Sequence, residues 1–164
     1  MFFWFAGLSF AMVLVVFDSP LLDYRLIVAG SLIPWLDHLW GPPWPLHSVL
    51  TPVGLMAVIM VVFQGRRLVQ RRWLGLPIGM FVHLVLDATF TRSRLFWWPA
   101  RGVSIDDSGP LVPSLPLALV LEVVGVGALV WLVISLGLRD KHRATKFFST
   151  GHVDRSRLPS QTRK

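Results

Sequence analysis

The chain has no cysteine and few charges: Asp, Glu, Lys and Arg make up 15% of its 164 residues. Without cysteine there is no disulfide, no thiolate metal ligand and no thiol nucleophile. An ordinary soluble domain carries roughly 25% charged residues. Apolar residues fill the shortfall here, 54% of the total, with eight Trp among them. A disordered chain is excluded, because such chains have too little apolar surface to fold. A soluble globular domain of this size has no room to hide so much apolar side chain. With a mean hydropathy of +0.61, the class that remains is a small polytopic membrane protein.

The net charge of +7 is unevenly placed. Residues 1–138 hold eight basic and seven acidic side chains, whereas residues 139–164 hold eight basic and two acidic ones. The basicity therefore belongs to the C-terminal segment, expected to be a disordered cytoplasmic tail. It can touch anionic lipid, although a solvated, topology-setting end is the favoured reading. Interleaved aromatics beyond Phe147–Phe148 are missing, so no nucleic-acid partner is expected.

Five apolar runs organise the rest. Met1–Phe17 is uncharged and lacks the basic region and cleavage site of a signal peptide, which predicts a retained transmembrane helix. Tyr24–Leu36 contains Gly30, Ser31 and Pro34 and is short for a bilayer of roughly 30 Å, so a re-entrant or interfacial helix is expected, with a full crossing as the alternative. His47–Phe63, Trp73–Phe90 and Pro113–Leu138 are the remaining predicted crossings. The fold expected is an all-α, polytopic membrane bundle of about four transmembrane helices plus one short re-entrant helix, over residues 1–138.

Arg and Lys collect on the cytoplasmic side of a membrane. The Arg-rich turn 64–72 and the tail are therefore placed inside, in a multi-pass protein of a bacterial-type plasma (inner) membrane. Loops 37–46 and 91–112 fall outside, with Trp35, Trp40, Trp44, Trp97 and Trp98 as an interfacial belt. Four crossings put the N-terminus inside; five put it outside.

Ionisable side chains within membrane helices are costly and mark functional sites by default. This topology brings Asp37, His38, His47, His83, Asp87 and Glu122 to the outer half of the bilayer. His83 and Asp87 are four residues apart and share a helix face. Gly75 and Gly79 extend that face as a small-residue stripe, of the kind that admits a neighbouring helix. His47–Thr51–Gly54 and Ala118–Glu122–Gly125 form similar stripes, expected to face one another. Imidazoles with carboxylates suit zinc or another divalent metal such as manganese. Asp37, His47, His83 and Asp87 are the candidate ligands, with His38 or Glu122 as general base or orienting group.

A plainer reading stands beside this one. A lone intramembrane Glu122 is more often a helix-packing hydrogen bond than a catalytic group. The His83–Asp87 pair can simply stabilise its helix, and Asp37–His38 can be a helix end. His142 and His152 belong to the tail and are expected to be solvated. A non-enzymatic membrane protein whose polar cluster only packs helices is therefore the alternative. A proton or ion path is less favoured, because the acids all lie in one leaflet.

The order of these residues resembles a known family. Gly30-Ser-Leu-Ile-Pro-Trp-Leu-Asp37-His38 is followed by Leu46-His47-Ser48. Next come Gly79-Met-Phe-Val-His83-Leu-Val-Leu-Asp87-Ala-Thr89 and Leu95-Phe-Trp-Trp-Pro99. The pattern, over about residues 28–99, is similar to the YdjM-like membrane-bound metal-dependent hydrolases, the LexA-binding inner-membrane type. Trp35 stands where that family has an Asp, Leu46 directly precedes His47, and Arg92–Ser93 replace a Gly. The resemblance implies a metal-dependent hydrolase with Asp37, His38, His47, His83 and Asp87 as metal-site residues. The depth of the site suggests an amphiphilic substrate such as a lipid ester or phosphoester.

Overall fold

Each apolar run folds as helix, and helix is the only regular structure among the described residues. The computed structural model describes residues 1–17, 19, 22–39, 45–102 and 113–153, and only the backbone of 38 and 39. The helices are α1 (Phe2–Phe17), α2 (Tyr24–Leu32), α3 (Leu50–Val62), α4 (Arg67–Trp73), α5 (Gly75–Leu86), α6 (Ser93–Phe96), α7 (Leu115–Ser135) and α8 (Lys141–Thr150). Short 3₁₀ turns lie at Pro34–Leu39, Pro45–His47 and Thr89–Thr91. Trp40, Trp44, Asp106, Asp107 and the His38 side chain lie outside the described residues.

Glycine decides how closely the helices approach. A Cβ on Gly79 would overlap the Ile27 carbonyl oxygen, and one on Gly30 would overlap that of Leu76. α2 and α5 therefore meet backbone to backbone. α1 and α7 meet in the same way, Gly7 against the Gly125 carbonyl and Gly125 against the Phe3–Trp4 peptide. α1 also packs on α2, linking α7 to the α2–α5 pair, while α3 leans on α5. The stripes on α5 and α7 are contact faces, but they do not face one another as expected: the α5 stripe meets α2 and the α7 stripe meets α1. The stripe on α3 is not a contact face: Gly54 faces open space.

These contacts fix direction. The Asp23 carbonyl lies by Gly75, the Ile27 carbonyl by Gly79 and the Ser31 carbonyl by His83, so α2 and α5 run side by side the same way. One end of the molecule carries Asp23, Arg72 and α8; the other carries Asp37, His47, His83 and Asp87. Between them Phe10, Val13, Leu14, Tyr24, Ile27, Val82 and Leu132 form the core.

Residues 139–164 were expected to be a disordered tail, and the structure corrects this for the described part. α8 is capped by Asp140, which accepts from the His142 N–H, and ends at Gly151 with φ 72°. Phe147 and Val153 join the core on Phe10 and Tyr24. A side-chain acceptor at the start, a left-handed glycine at the end and two apolar residues suffice to fold and dock the segment.

Only α7, with 21 residues, is long and apolar enough among the described residues to cross a membrane. At 1.5 Å per residue it spans about 31 Å. α1 and α3 are apolar but shorter. The four full-length crossings expected from the sequence therefore reduce to one by length. Polar and turn-forming residues trim the others, at Phe63–Gly65 after α3 and at Asp87–Ala88 after α5.

Candidate functional site

The predicted polar residues separate into two places. Asp37, on the Pro34–Leu39 turn, meets His47 at the end of the Pro45–His47 turn, Oδ2 to Nδ1 at 3.0 Å. The His47 ring stands edge-on to that of His83 on α5, with centroids 5.4 Å apart. All three side chains are buried. His83 Nδ1 lies 2.6 Å from the Ser31 carbonyl oxygen, and Phe5 stacks on its ring with centroids 3.9 Å apart. A carbonyl can only accept, so Nδ1 of His83 carries a proton and donates it. His47 has the same orientation toward the Asp37 carboxylate acceptor.

Neighbouring segments hold this arrangement. The Ser48 hydroxyl donates to the Trp98 carbonyl at 2.6 Å, and the Val49 N–H donates to the Phe96 carbonyl at 3.0 Å. The α6 segment is thereby fastened over the His47 turn. The Thr51 hydroxyl donates to the Pro45 carbonyl. On the other side the Ser31 hydroxyl reaches the Val28 carbonyl at 2.8 Å and receives the Ser9 hydroxyl at 3.0 Å. Asp87 closes α5, and its Oδ2 accepts from the buried Thr89 hydroxyl at 2.9 Å. Between them Ala88 takes the left-handed conformation, φ 53° and ψ 28°, which costs a residue bearing a Cβ roughly 1–2 kcal/mol.

Two expectations change. Asp37, a predicted ligand, sits behind His47 as the group that orients its ring. Glu122, a predicted general base, is in the second place: it accepts from the Phe3 and Trp4 N–H groups at 2.8 and 3.3 Å, and the Met1 nitrogen lies 2.9 Å away. It caps the free N–H groups of α1 instead of facing the imidazoles. Among the described residues no group of three His, Asp or Glu side chains is arranged to hold a metal ion.

Sequence reasoning missed Ser31 and Phe5. A backbone carbonyl leaves no trace in residue type, and Phe5 is one of many apolar residues on α1. It also missed the opposite end of the molecule. There Asp23 is fully buried and accepts from Arg25 Nε and Nη2 at 3.0 and 2.9 Å and from Arg72 Nε at 3.0 Å. Burial works to raise the Asp23 pKa, but the two guanidinium groups and the Arg25 N–H outweigh it and hold the carboxyl below its ordinary value. Gly151 presses on this carboxylate so closely that no Cβ fits. The Tyr24 N–H donates to the Gly151 carbonyl at 3.0 Å, which ties α8 to the start of α2.

No protein family matches the chain, and neither does any curated protein or solved structure.

Proposed function

We propose that the protein is an integral membrane metal-dependent hydrolase whose site is the buried His47–His83 pair, as its resemblance to the YdjM-like hydrolases implies. One observation carries the reading. Each imidazole gives its Nδ1 to an acceptor, the Asp37 carboxylate for His47 and the Ser31 carbonyl for His83. Carboxylates and backbone carbonyls are the partners that metal-bound histidines use to fix their tautomer. In this reading a metal would take the Nε2 atoms of the two rings, a donor chemistry that suits zinc or manganese.

His47 and His83 would thus hold the metal. The resemblance adds Asp87, which the described structure does not group with them as a third ligand, and His38, whose side chain lies outside the described residues. The metal supplies Lewis acidity for hydrolysis. Asp37 and the Ser31 carbonyl orient the rings, and Phe5 shields His83 from water. A site at the end of a bundle suits an amphiphilic substrate, a lipid ester or phosphoester.

The membrane part of the proposal has its own support. Val123 on α7 is 72% exposed and Val61 on α3 is 72% exposed, amid surfaces that are otherwise apolar. Such faces suit lipid and not water. Trp35 and Trp97 are exposed at the His47 end, and Trp73 at the Asp23 end, as interfacial belts require. Arg66–Arg72 and α8 share the Asp23 end, which the charge rule assigns to the cytoplasm. The N-terminus of α1 then lies outside, as in the five-crossing arrangement, in a plasma membrane.

A non-enzymatic reading has one observation in its favour: His83 also ties α5 to α2 and α1 through Ser31 and Phe5. Metal analysis of detergent-purified protein separates the two. Stoichiometric zinc or manganese in the wild type, lost in His83→Ala with Asp87→Ala, supports the hydrolase. A folded wild type without metal supports the packing role. Asp37→Asn leaves the packing nearly unchanged and is expected to weaken metal binding about 10–100-fold.

A further inference from the structure

At the Asp23 end, α7 stops at Ser135, and the chain reverses through Gly137 with φ 64° before α8 begins. The reversal leaves a small, open cleft between the end of α7 and α8. Leu136, Phe147 and Val153 form its apolar floor, and Arg143, Lys146 and His152 its rim. Among the described residues no acidic side chain lines it. The Arg143 side chain runs past Gly137, where even a Cβ would meet it only at ordinary contact distance, 3.7 Å.

We propose that this cleft binds the phosphate of an anionic phospholipid headgroup. Three features meet there. The cleft lies where the long apolar helix ends, and Val130, Trp131, Val133 and Ile134 just before it are exposed. A lipid lying along that surface brings its phosphodiester to the level of Leu136 and Leu138. The rim presents a guanidinium, which forks onto phosphate oxygens, beside an ammonium and an imidazole. Phe148, 70% exposed on the same helix, gives α8 an apolar anchor of the kind interfacial helices bury among headgroups. Basic clefts at the cytoplasmic ends of membrane helices bind anionic headgroups in this manner.

The inference rests on the membrane placement of α7 and not on the hydrolase chemistry. The test is native mass spectrometry of the full chain released from mixed phosphatidylglycerol–phosphatidylcholine nanodiscs. Wild type retains phosphatidylglycerol preferentially. Arg143→Gln with Lys146→Gln, its helicity checked by circular dichroism, loses that preference roughly thirtyfold, as two basic residues near an anionic surface predict. Equal retention of both lipids by the wild type, or an unchanged preference in the variant, overturns the proposal. Displacement of phosphatidylglycerol by millimolar inorganic phosphate overturns it in favour of a free anion. Carbonate extraction of native membranes tests the underlying placement separately: release of the protein sinks the membrane reading, whereas retention without headgroup preference sinks only this one.

Discussion

Asp23 shows how one residue can hold two elements. Its carboxylate takes Arg25 and Arg72 while Gly151 lies against it. Removing one partner of a buried ion pair costs roughly 3–5 kcal/mol. Both guanidinium groups reach solvent here, so Asp23→Asn is expected to cost about 2–3 kcal/mol in a denaturation series. Because the folded carboxyl has a lowered pKa, its stabilisation is complete above the ordinary value of 3.8 and fades as pH falls through the folded pKa. Melting curves between neutral pH and pH of about 3 are expected to show this acid loss in the wild type and a smaller one in Asp23→Asn. Ala88 makes the opposite case. Its left-handed backbone favours glycine, so Ala88→Gly is expected to raise stability by about 1 kcal/mol, and a lower melting temperature would refute the strain. At this scale the sequence was legible where residue type is rare. His47, His83 and Asp37 stand out in an apolar chain, and the structure brings them together. The partner of His83 is a peptide carbonyl, which no residue type announces. Glu122 follows the plainer of its two readings, a hydrogen bond between helices, and helix depth alone does not say which neighbour a side chain meets.

Among the elements, α8 was the segment least visible in the sequence. Eight basic residues in residues 139–164 suggested repulsion and solvation. The signals that outweighed them, Asp140 and Gly151 as caps and Phe147 as anchor, are local and were overshadowed by the charge count. Phe147→Ala is expected to cost about 3 kcal/mol and to expose α8 to protease, because the ring is buried on Phe10. The glycines give a sharper contrast. Gly79→Val forces a side chain into the Ile27 carbonyl and is expected to cost more than about 3 kcal/mol, since backbone cannot yield as side chains do. Gly54→Ala, with open space around it, is expected to add about 0.5–1 kcal/mol through helix propensity. Equal effects of the two changes in thermal melts would contradict the packing described here. The small-residue stripe on α5 was readable because its spacing matches a helix face. The one on α3 had the same spacing, but nothing in the sequence says that no helix lies opposite.

For the whole molecule, the apolar composition announced helices, and the elements follow the five apolar runs closely. Crossing number was less legible, since apolar length on paper includes residues that the chain spends on caps and turns. The proposed membrane placement puts the two ends at opposite faces, with Arg72 of α4 and Gly151 after α8 both meeting Asp23. A reporter fused after Leu138 is expected to read cytoplasmic, and a periplasmic signal would invert the assignment. The central claim concerns the other end: two buried imidazoles held by their Nδ1 atoms, with a metal proposed at Nε2. Histidine nitrogen NMR on detergent-solubilised, ¹⁵N-labelled protein titrated with zinc tests it most directly. The account predicts protonated Nδ1 in His47 and His83 before zinc, and a saturable shift of both Nε2 signals at one equivalent. Protons on Nε2, or Nε2 signals in the folded protein that zinc leaves unmoved, would contradict it.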